Sequence, residues 1–314
     1  MNLSEISSLT EDQARDYFEK IRWPNGVVCP HCGSVESTKL KGKAHRQGLY
    51  DCRGCHAQFT ATVNTIMEDS HLPIRTWLMA FSILCSAKKG ISALQLQRQL
   101  GLGSYRTAWH LCHRIRHAMD REPMKGLLGA AGGTVEADET WVGGKPRTRK
   151  RQIGASRQRP VPSKTRVVGL VERGGRARAH VVPDLTAPTL KAAIRAHVDQ
   201  SARLMTDENH AYIGLGDEFA GGHETVNHSA GEYARGDATT NTVEGFFGLF
   251  KRGVMGSFHH ISEKHMNRYL SEFSFRWDLR KATDDERTIE VIRASEGKRL
   301  TYRVPVAAGD INSR

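Results

Sequence analysis

No apolar run in this chain approaches the roughly eighteen residues that a membrane helix needs. The longest, Trp77 to Cys85, is too short. The opening MNLSEISSLTEDQARDYFEK lacks the basic, apolar and small-residue order of a signal peptide, so the expectation is a cytoplasmic protein without a membrane partner. Acid is also in deficit. Against 46 Lys and Arg stand 34 Asp and Glu, a net charge of +12, and the sequence pI is near 9.6. That imbalance points to a polyanionic partner, most often nucleic acid. Cysteine is scarce, six in 314 residues, and in a cytosolic chain such cysteines serve as metal ligands or buried apolar groups rather than disulfides. No internal repeat occurs, and a mean hydropathy of −0.50 fits a soluble globular protein of two or three domains.

What is present begins with two close cysteine pairs, Cys29-Pro-His-Cys32 and Cys52-Arg-Gly-Cys55, separated by nineteen residues. Each short turn places two thiolates at neighbouring corners of a tetrahedron, the pattern of a zinc ribbon. Four thiolates close the shell, so the expected Zn²⁺ is structural and holds together a module with little core of its own. Ahead of it, Thr10 can cap a helix running to about Arg22.

Residues 71–121 read as a helical module. Trp77 to Cys85 forms a mostly buried helix, Ile91 to Leu100 a second, Gly101-Leu-Gly103 a turn, and Ser104 caps a third helix to about Met119. Helix, glycine turn and basic helix is a helix-turn-helix-like order, whose last helix would present Arg106 and Arg114 to a DNA groove. The competing reading is a three-helix spacer with a solvated basic face. Glu122 to Gly133, rich in Gly and Ala, reads as a linker.

The stretch Thr134 to Lys145, TVEADETWVGGK, is a β-prone run closed by glycines and loaded with Glu136, Asp138 and Glu139. An acid in a half-buried strand is costly unless something compensates it, and a divalent cation is the usual compensation. Asp207 at the end of a short strand (LMTDE) and Glu244 in a helix (TNTVEGFFGLFKR) follow in apolar settings. Together with Asp138 they would hold two Mg²⁺ ions, or Mn²⁺, in a site for phosphodiester chemistry. Any one of these acids alone would read as a solvated surface carboxylate. Glu136 is a candidate auxiliary ligand, and Glu139 a structural salt-bridge partner. Between Lys145 and Arg166 stand nine Lys or Arg and no acid, so Arg147, Arg149, Lys150 and Arg151 are candidate phosphate contacts. Lys251, two helical turns past Glu244 on the same face, would hold a phosphate, with Arg252 at the margin.

Strands at 134–142, 167–171 and 177–182, a helix from Thr186, strands near 204–206 and 223–228, then helices over 240–250 and 262–281 follow the order of an RNase H-like α/β domain. Gly253 and Gly256 are expected to stop the helix that carries Glu244. The organisation expected is N-terminal helix and zinc ribbon (1–70), helical module (71–121), linker (122–133), catalytic domain (134–282) and C-terminal extension (283–314).

VVCPHCGS, YDCRGCHAQFTATVNTIMEDSHLPIRTW, VEADETWVGGK, MTDE and, most specifically, TNTVEGFFGLFKRGVMGSFHHISEKHMNRYLSEFSFRW together resemble bacterial insertion-sequence transposases of the DDE superfamily, the group with a zinc ribbon ahead of the catalytic domain. The likeness extends over most of residues 15–280. It implies binding of double-stranded DNA at element ends, cleavage there and joining of the 3′ end to target DNA, by a homo-oligomer associated with the nucleoid. In related transposases the third ligand can be Asn, which makes Asn241 the rival to Glu244. Members often carry a histidine where Thr239 stands here. The alternatives are a non-catalytic DNA-binding regulator and a nuclease that cuts without joining.

Overall fold

A computed structural model describes residues 1–42, 45–120, 126–143, 164–232 and 234–302. The chain divides into two compact units, 1–121 with 281–314, and 122–280.

In the first unit, helices α1 (Leu3–Ser8) and α2 (Glu11–Arg22) precede a three-stranded antiparallel ribbon, β1 (Ser37–Lys39), β2 (Tyr50–Cys52) and β3 (Gln58–Phe59). Thr10 caps α2 reciprocally with Gln13, as its sequence allows. The ribbon leans on α2 through Glu19, which accepts hydrogen bonds from the Tyr50 hydroxyl at 2.7 Å and Lys39 Nζ at 2.9 Å. Tyr50 stacks on Phe59, and Trp23 meets both rings edge-on. Helices α3 (Ile74–Ser86), α4 (Ala93–Leu100) and α5 (Tyr105–Met119) make the helical module. Gly101, at φ +62, turns the chain from α4 towards α5, and Ser104 caps α5. The second unit interrupts this one in the sequence. A late helix, α9 (Asp284–Arg293), in the segment read as an extension, packs against α2, α3 and α5 and buries Val291 and Ile292.

The second unit is built on a five-stranded mixed sheet in the order β6-β5-β4-β7-β8. Strands β4 (Thr134–Val142), β5 (Thr165–Glu172) and β6 (Ala177–Val182) form an antiparallel meander; β7 (Arg203–Thr206) and β8 (His223–Thr225) add in parallel on the other edge of β4. Helix α6 (Ala187–His197) makes the crossover from β6 to β7. Helices α7 (Asn241–Gly253) and α8 (Glu263–Asp278) follow β8. One apolar layer joins Val135, Ala137 and Leu170 to Leu190, Ile194 and Tyr212. The other joins Val167, Val171 and Ala179 to Phe246, Phe250, Leu270 and Phe273. Three antiparallel strands, a crossover helix, two parallel strands and helices on both faces make the RNase H-like α/β architecture that the order of elements predicts.

Two expectations are revised by packing. The described part of the expected linker, 126–133, is built into the sheet unit: Leu128 is fully buried, its N–H donates to the His197 carbonyl, and its own carbonyl accepts from Asp199. Gly253 is the last residue of the α-helix of Glu244, as expected, but Gly256 stops nothing: the chain continues as a wider π turn, Val254–Phe258, because Val254 and Phe258 still pack onto the apolar layer below.

Candidate active site

Strand β4 runs through the middle of the sheet, so its side chains alternate between the two apolar layers. Asp138 follows the buried Ala137 and is paired in register with Gly169 of β5. A Cβ on Gly169 would lie 2.6 Å and 2.9 Å from Phe247 ring atoms, so glycine there lets α7 settle close to the sheet beside Asp138. Burial pushes the Asp138 carboxyl up to about 7, and the charges of Asp207, Glu139 and Glu244 push in the same direction. Only the Glu139 backbone N–H, 2.7 Å from Asp138 Oδ1, opposes them. The structure thus brings the three expected acids into one electrostatic neighbourhood.

Asp207 follows directly on β7, and burial raises its carboxyl as well. Its Oδ1 accepts the Asn209 N–H at 3.1 Å, and the charge of His228 partly offsets the rise. Glu244, in the first turn of α7, is half-exposed. Its Oε1 lies 3.2 Å from Thr240 Oγ1 and 3.5 Å from His228 Nε2, while His228 Nε2 is 3.0 Å from Thr240 Oγ1. His228 is held there by Glu208, the residue after Asp207, whose carboxylate accepts the N–H groups of His228 and Ser229. Those bonds draw the Glu208 carboxyl down to about 2, with the Ser229 hydroxyl the largest contributor. Sequence reasoning missed His228, because a loop histidine twelve residues before the TNT stretch carries no periodic signal. Asn241 opens α7 one turn before Glu244 and is exposed.

Glu136 and Glu139 depart from their expected parts. Glu136 is fully buried. Its oxygens take the Arg173 guanidinium at 2.6 Å, the N–H groups of Thr242 and Val243 at 2.6 Å and 3.0 Å, and the Thr242 hydroxyl at 2.8 Å. It therefore caps α7 from the middle of the sheet and has no oxygen left for a metal. Arg173 also donates to the carbonyl of Thr239, which ties down the approach to α7. Glu139 makes no salt bridge among the described residues; its carboxylate accepts from the Asn209 amide and the Tyr212 hydroxyl on the opposite face of the sheet.

Among the described residues, one set of His, Cys, Asp or Glu ligand atoms lies mutually within 4.8 Å: the sulfurs of Cys29, Cys32, Cys52 and Cys55. Cys29 and Cys55 sulfurs are 3.8 Å apart, Cys32 and Cys52 sulfurs 3.6 Å. Tetrahedral bonds of about 2.3 Å to zinc separate sulfurs by about 3.8 Å, so this set fits a structural Zn²⁺. The three carboxylates do not close to single-ion spacing. A pair of ions would separate its outer ligands further, and hard oxygen donors with desolvated charge match Mg²⁺.

Of the basic residues singled out, Lys251 and Arg252 are exposed in the last turn of α7, and Arg106 is exposed in the first turn of α5 with its guanidinium 4.1 Å from the Tyr302 ring centre. Arg114 is turned inward. It is 7% exposed, donates to the Glu68 carbonyl and lies over Trp77, so it is not available to a groove. Arg147, Arg149, Lys150 and Arg151 lie outside the described residues. No helix among the described residues is long and apolar enough to cross a membrane.

A four-cysteine ribbon in one unit and an acid-bearing RNase H-like sheet in the other define a zinc-ribbon protein with a nuclease-type fold. The sequence matches the ISXO2-like transposase domain over residues 130–278 and the transposase zinc-ribbon domain over residues 9–58. The chain belongs to the insertion-sequence transposases that carry an N-terminal zinc ribbon. It is similar to the "Uncharacterized protein in transposable element ISH50" of Halobacterium salinarum, at 29% identity over 282 residues that cover 86% of this chain and 92% of the relative.

Proposed function

We propose that this transposase cuts DNA at the ends of its element and joins the 3′ end to target DNA at a site made by Asp138, Asp207 and Glu244. The observation that carries the reading is the state of Asp138: a desolvated carboxyl raised to about 7 and pushed upward by the charges of the other two acids. Such a cluster is unfavourable by itself and is offset by divalent cations. Two Mg²⁺ ions, when bound, supply the charge that activates a water or a 3′-hydroxyl and stabilises the leaving oxygen.

The protein's own contribution is positioning. Asp138 is fixed on the central strand, Asp207 at a strand end, and Glu244 on a helix seated by Glu136. Glu244 is the proposed third ligand, since its charge acts on Asp138 and a carboxylate suits Mg²⁺ better than the amide of Asn241. His228 and Thr240 steer the Glu244 side chain. Lys251 and Arg252 would engage phosphates along α7, and Arg106 would meet DNA from the helical module. Arg147, Arg149, Lys150 and Arg151 would add sequence-independent affinity. The partner is double-stranded DNA, bound by a homo-oligomer in the cytoplasm.

A magnesium-dependent assay on a duplex carrying the terminal DNA of the element tests this. Asp138→Asn, Asp207→Asn and Glu244→Gln should each bind DNA normally and lose cleavage by several orders of magnitude, without additive losses. Normal cleavage by Glu244→Gln with a dead Asn241→Ala would move the third ligand to Asn241. A pre-cleaved end with a 3′-hydroxyl, offered with target DNA, distinguishes joining from cutting alone.

A further inference from the structure

Beyond Lys251 the helix of Glu244 carries a feature that the cleavage reading does not use. We propose that Met255, held outward on the π turn that ends α7, is a wedge that enters the DNA stack a fixed distance from the cleaved phosphate. This rests on the proposed function, because it assumes that DNA runs along α7.

Three observations support it. First, Met255 is 77% exposed, the highest value among the exposed large apolar side chains. A single exposed methionine is unremarkable on a protein surface. This one, however, stands on a rigid turn. On either side of it, Val254 and Phe258 pack onto the apolar layer, and Phe258 lies edge-on to Tyr269 with ring centres 4.8 Å apart. The His259 N–H closes the turn on the Val254 carbonyl at 2.6 Å. His259 itself sits at φ +59 and ψ −41, a conformation that a non-glycine residue adopts only when its surroundings impose it.

Second, the surroundings are cationic. From Gly245 to Ser262 there is no acid, and Lys251 and Arg252 are both exposed. An apolar tip inside a basic rim matches DNA, whose phosphates meet the rim while the tip reaches a base step. Proteins that bend DNA use methionine among their wedge residues.

Third, the spacing is set. Glu244 and Lys251, seven residues apart, share one face of α7, and Met255 follows Lys251 by four residues on the π turn that continues the helix. Gly245 is exposed and has no side chain, so a DNA backbone can come close beside Glu244. At about 1.5 Å per residue, Met255 stands roughly 16 Å from Glu244 along the axis. That span corresponds to about five base steps of B-form DNA.

The experiment uses the full chain and a duplex copied from the DNA flanking the gene, with 2-aminopurine substituted at successive steps from the cleaved phosphate. In Ca²⁺, where binding is read without cleavage, the wild type should brighten the probe about five steps out and leave nearer positions dark. Met255→Ala should abolish that signal and slow magnesium-dependent cleavage by on the order of tenfold, at unchanged thermal stability; Met255→Phe should keep both. If Met255→Ala leaves signal and rate intact while the wild type cleaves, the wedge is refuted and the cleavage reading stands. A wild type that brightens the probe but never cuts it refutes the cleavage reading alone. A change of oligomeric state in Met255→Ala, by sedimentation, with the DNA signal unaffected would assign the methionine to a second copy of the chain and overturn the proposal.

Discussion

Arg173 Nε lies 2.6 Å from Glu136 Oε1, and the same buried carboxylate accepts the first N–H groups of the helix that carries Glu244. Two residues apart on one strand, Glu136 and Asp138 thus divide the work: one seats the helix and the other faces its acid. Glu136→Ala should lower stability by about 3 kcal/mol, since it strands Arg173 and leaves helix N–H groups without an acceptor. Urea unfolding measures this. A Glu136→Gln protein of native stability that has lost cleavage and regains it in Mn²⁺ would instead make Glu136 a metal ligand.

Gly169→Ala asks how tightly α7 must sit. The added methyl would meet the Phe247 ring at 2.6 Å and Val243 at 3.3 Å, so the helix must shift. The expected cost is about 1–3 kcal/mol. Cleavage by the folded fraction should fall well beyond that loss, because Glu244 moves with the helix. Unchanged turnover per folded molecule would show that the site tolerates the shift.

The raised carboxyl of Asp138 makes a prediction for protein stripped of divalent ions. Its folded value, about 7, lies above the ordinary aspartate range near 3.9 expected when unfolded. Between those values the folded state keeps a proton that the unfolded state has released, so stability should fall as pH rises from about 4 to 7 and level off above. Asp138→Asn should remove that component and be the more stable protein at pH 8 in EDTA. Thermal melts across pH on both proteins test it; parallel curves would mean that Asp138 ionises without penalty.

In the ribbon, Cys29→Ser should abolish stoichiometric zinc and loosen the cluster of Trp23, Tyr50 and Phe59, visible as a change in tryptophan emission. Retention of one zinc per chain would show that three thiolates suffice.

Much of this was legible in the sequence for a reason that differs by element. The cysteine pairs and the acid on β4 are local patterns, and two-residue spacing or strand alternation is enough to read them. The caps at Thr10 and Ser104 were equally local, whereas Thr186 stands at the N-cap position of α6 but gives its hydroxyl to Asp184 rather than capping the helix. What escaped depends on partners far along the chain. Arg114 lies off the apolar stripe of α5, yet that helix is enclosed on more than one side, and the guanidinium finds the Glu68 carbonyl. Glu136 reads as one more acid beside Asp138 until the start of α7, more than a hundred residues later, arrives to use it. Gly253 does end the α-helix, but Gly256 looked like a second stop because glycine ends helices where nothing lies beneath; here Phe258 has a pocket of rings to fill.

The return of α9 to the first unit carries a consequence for synthesis. On the ribosome the whole of 122–280 emerges before Val291 and Ile292 do, so the second unit has all its strands while the first still lacks a wall of its core. The order of maturation is therefore the reverse of the order of translation. A nonsense codon or frameshift near residue 281 would yield a chain whose second unit has all its strands and whose ribbon-and-helix unit is incomplete.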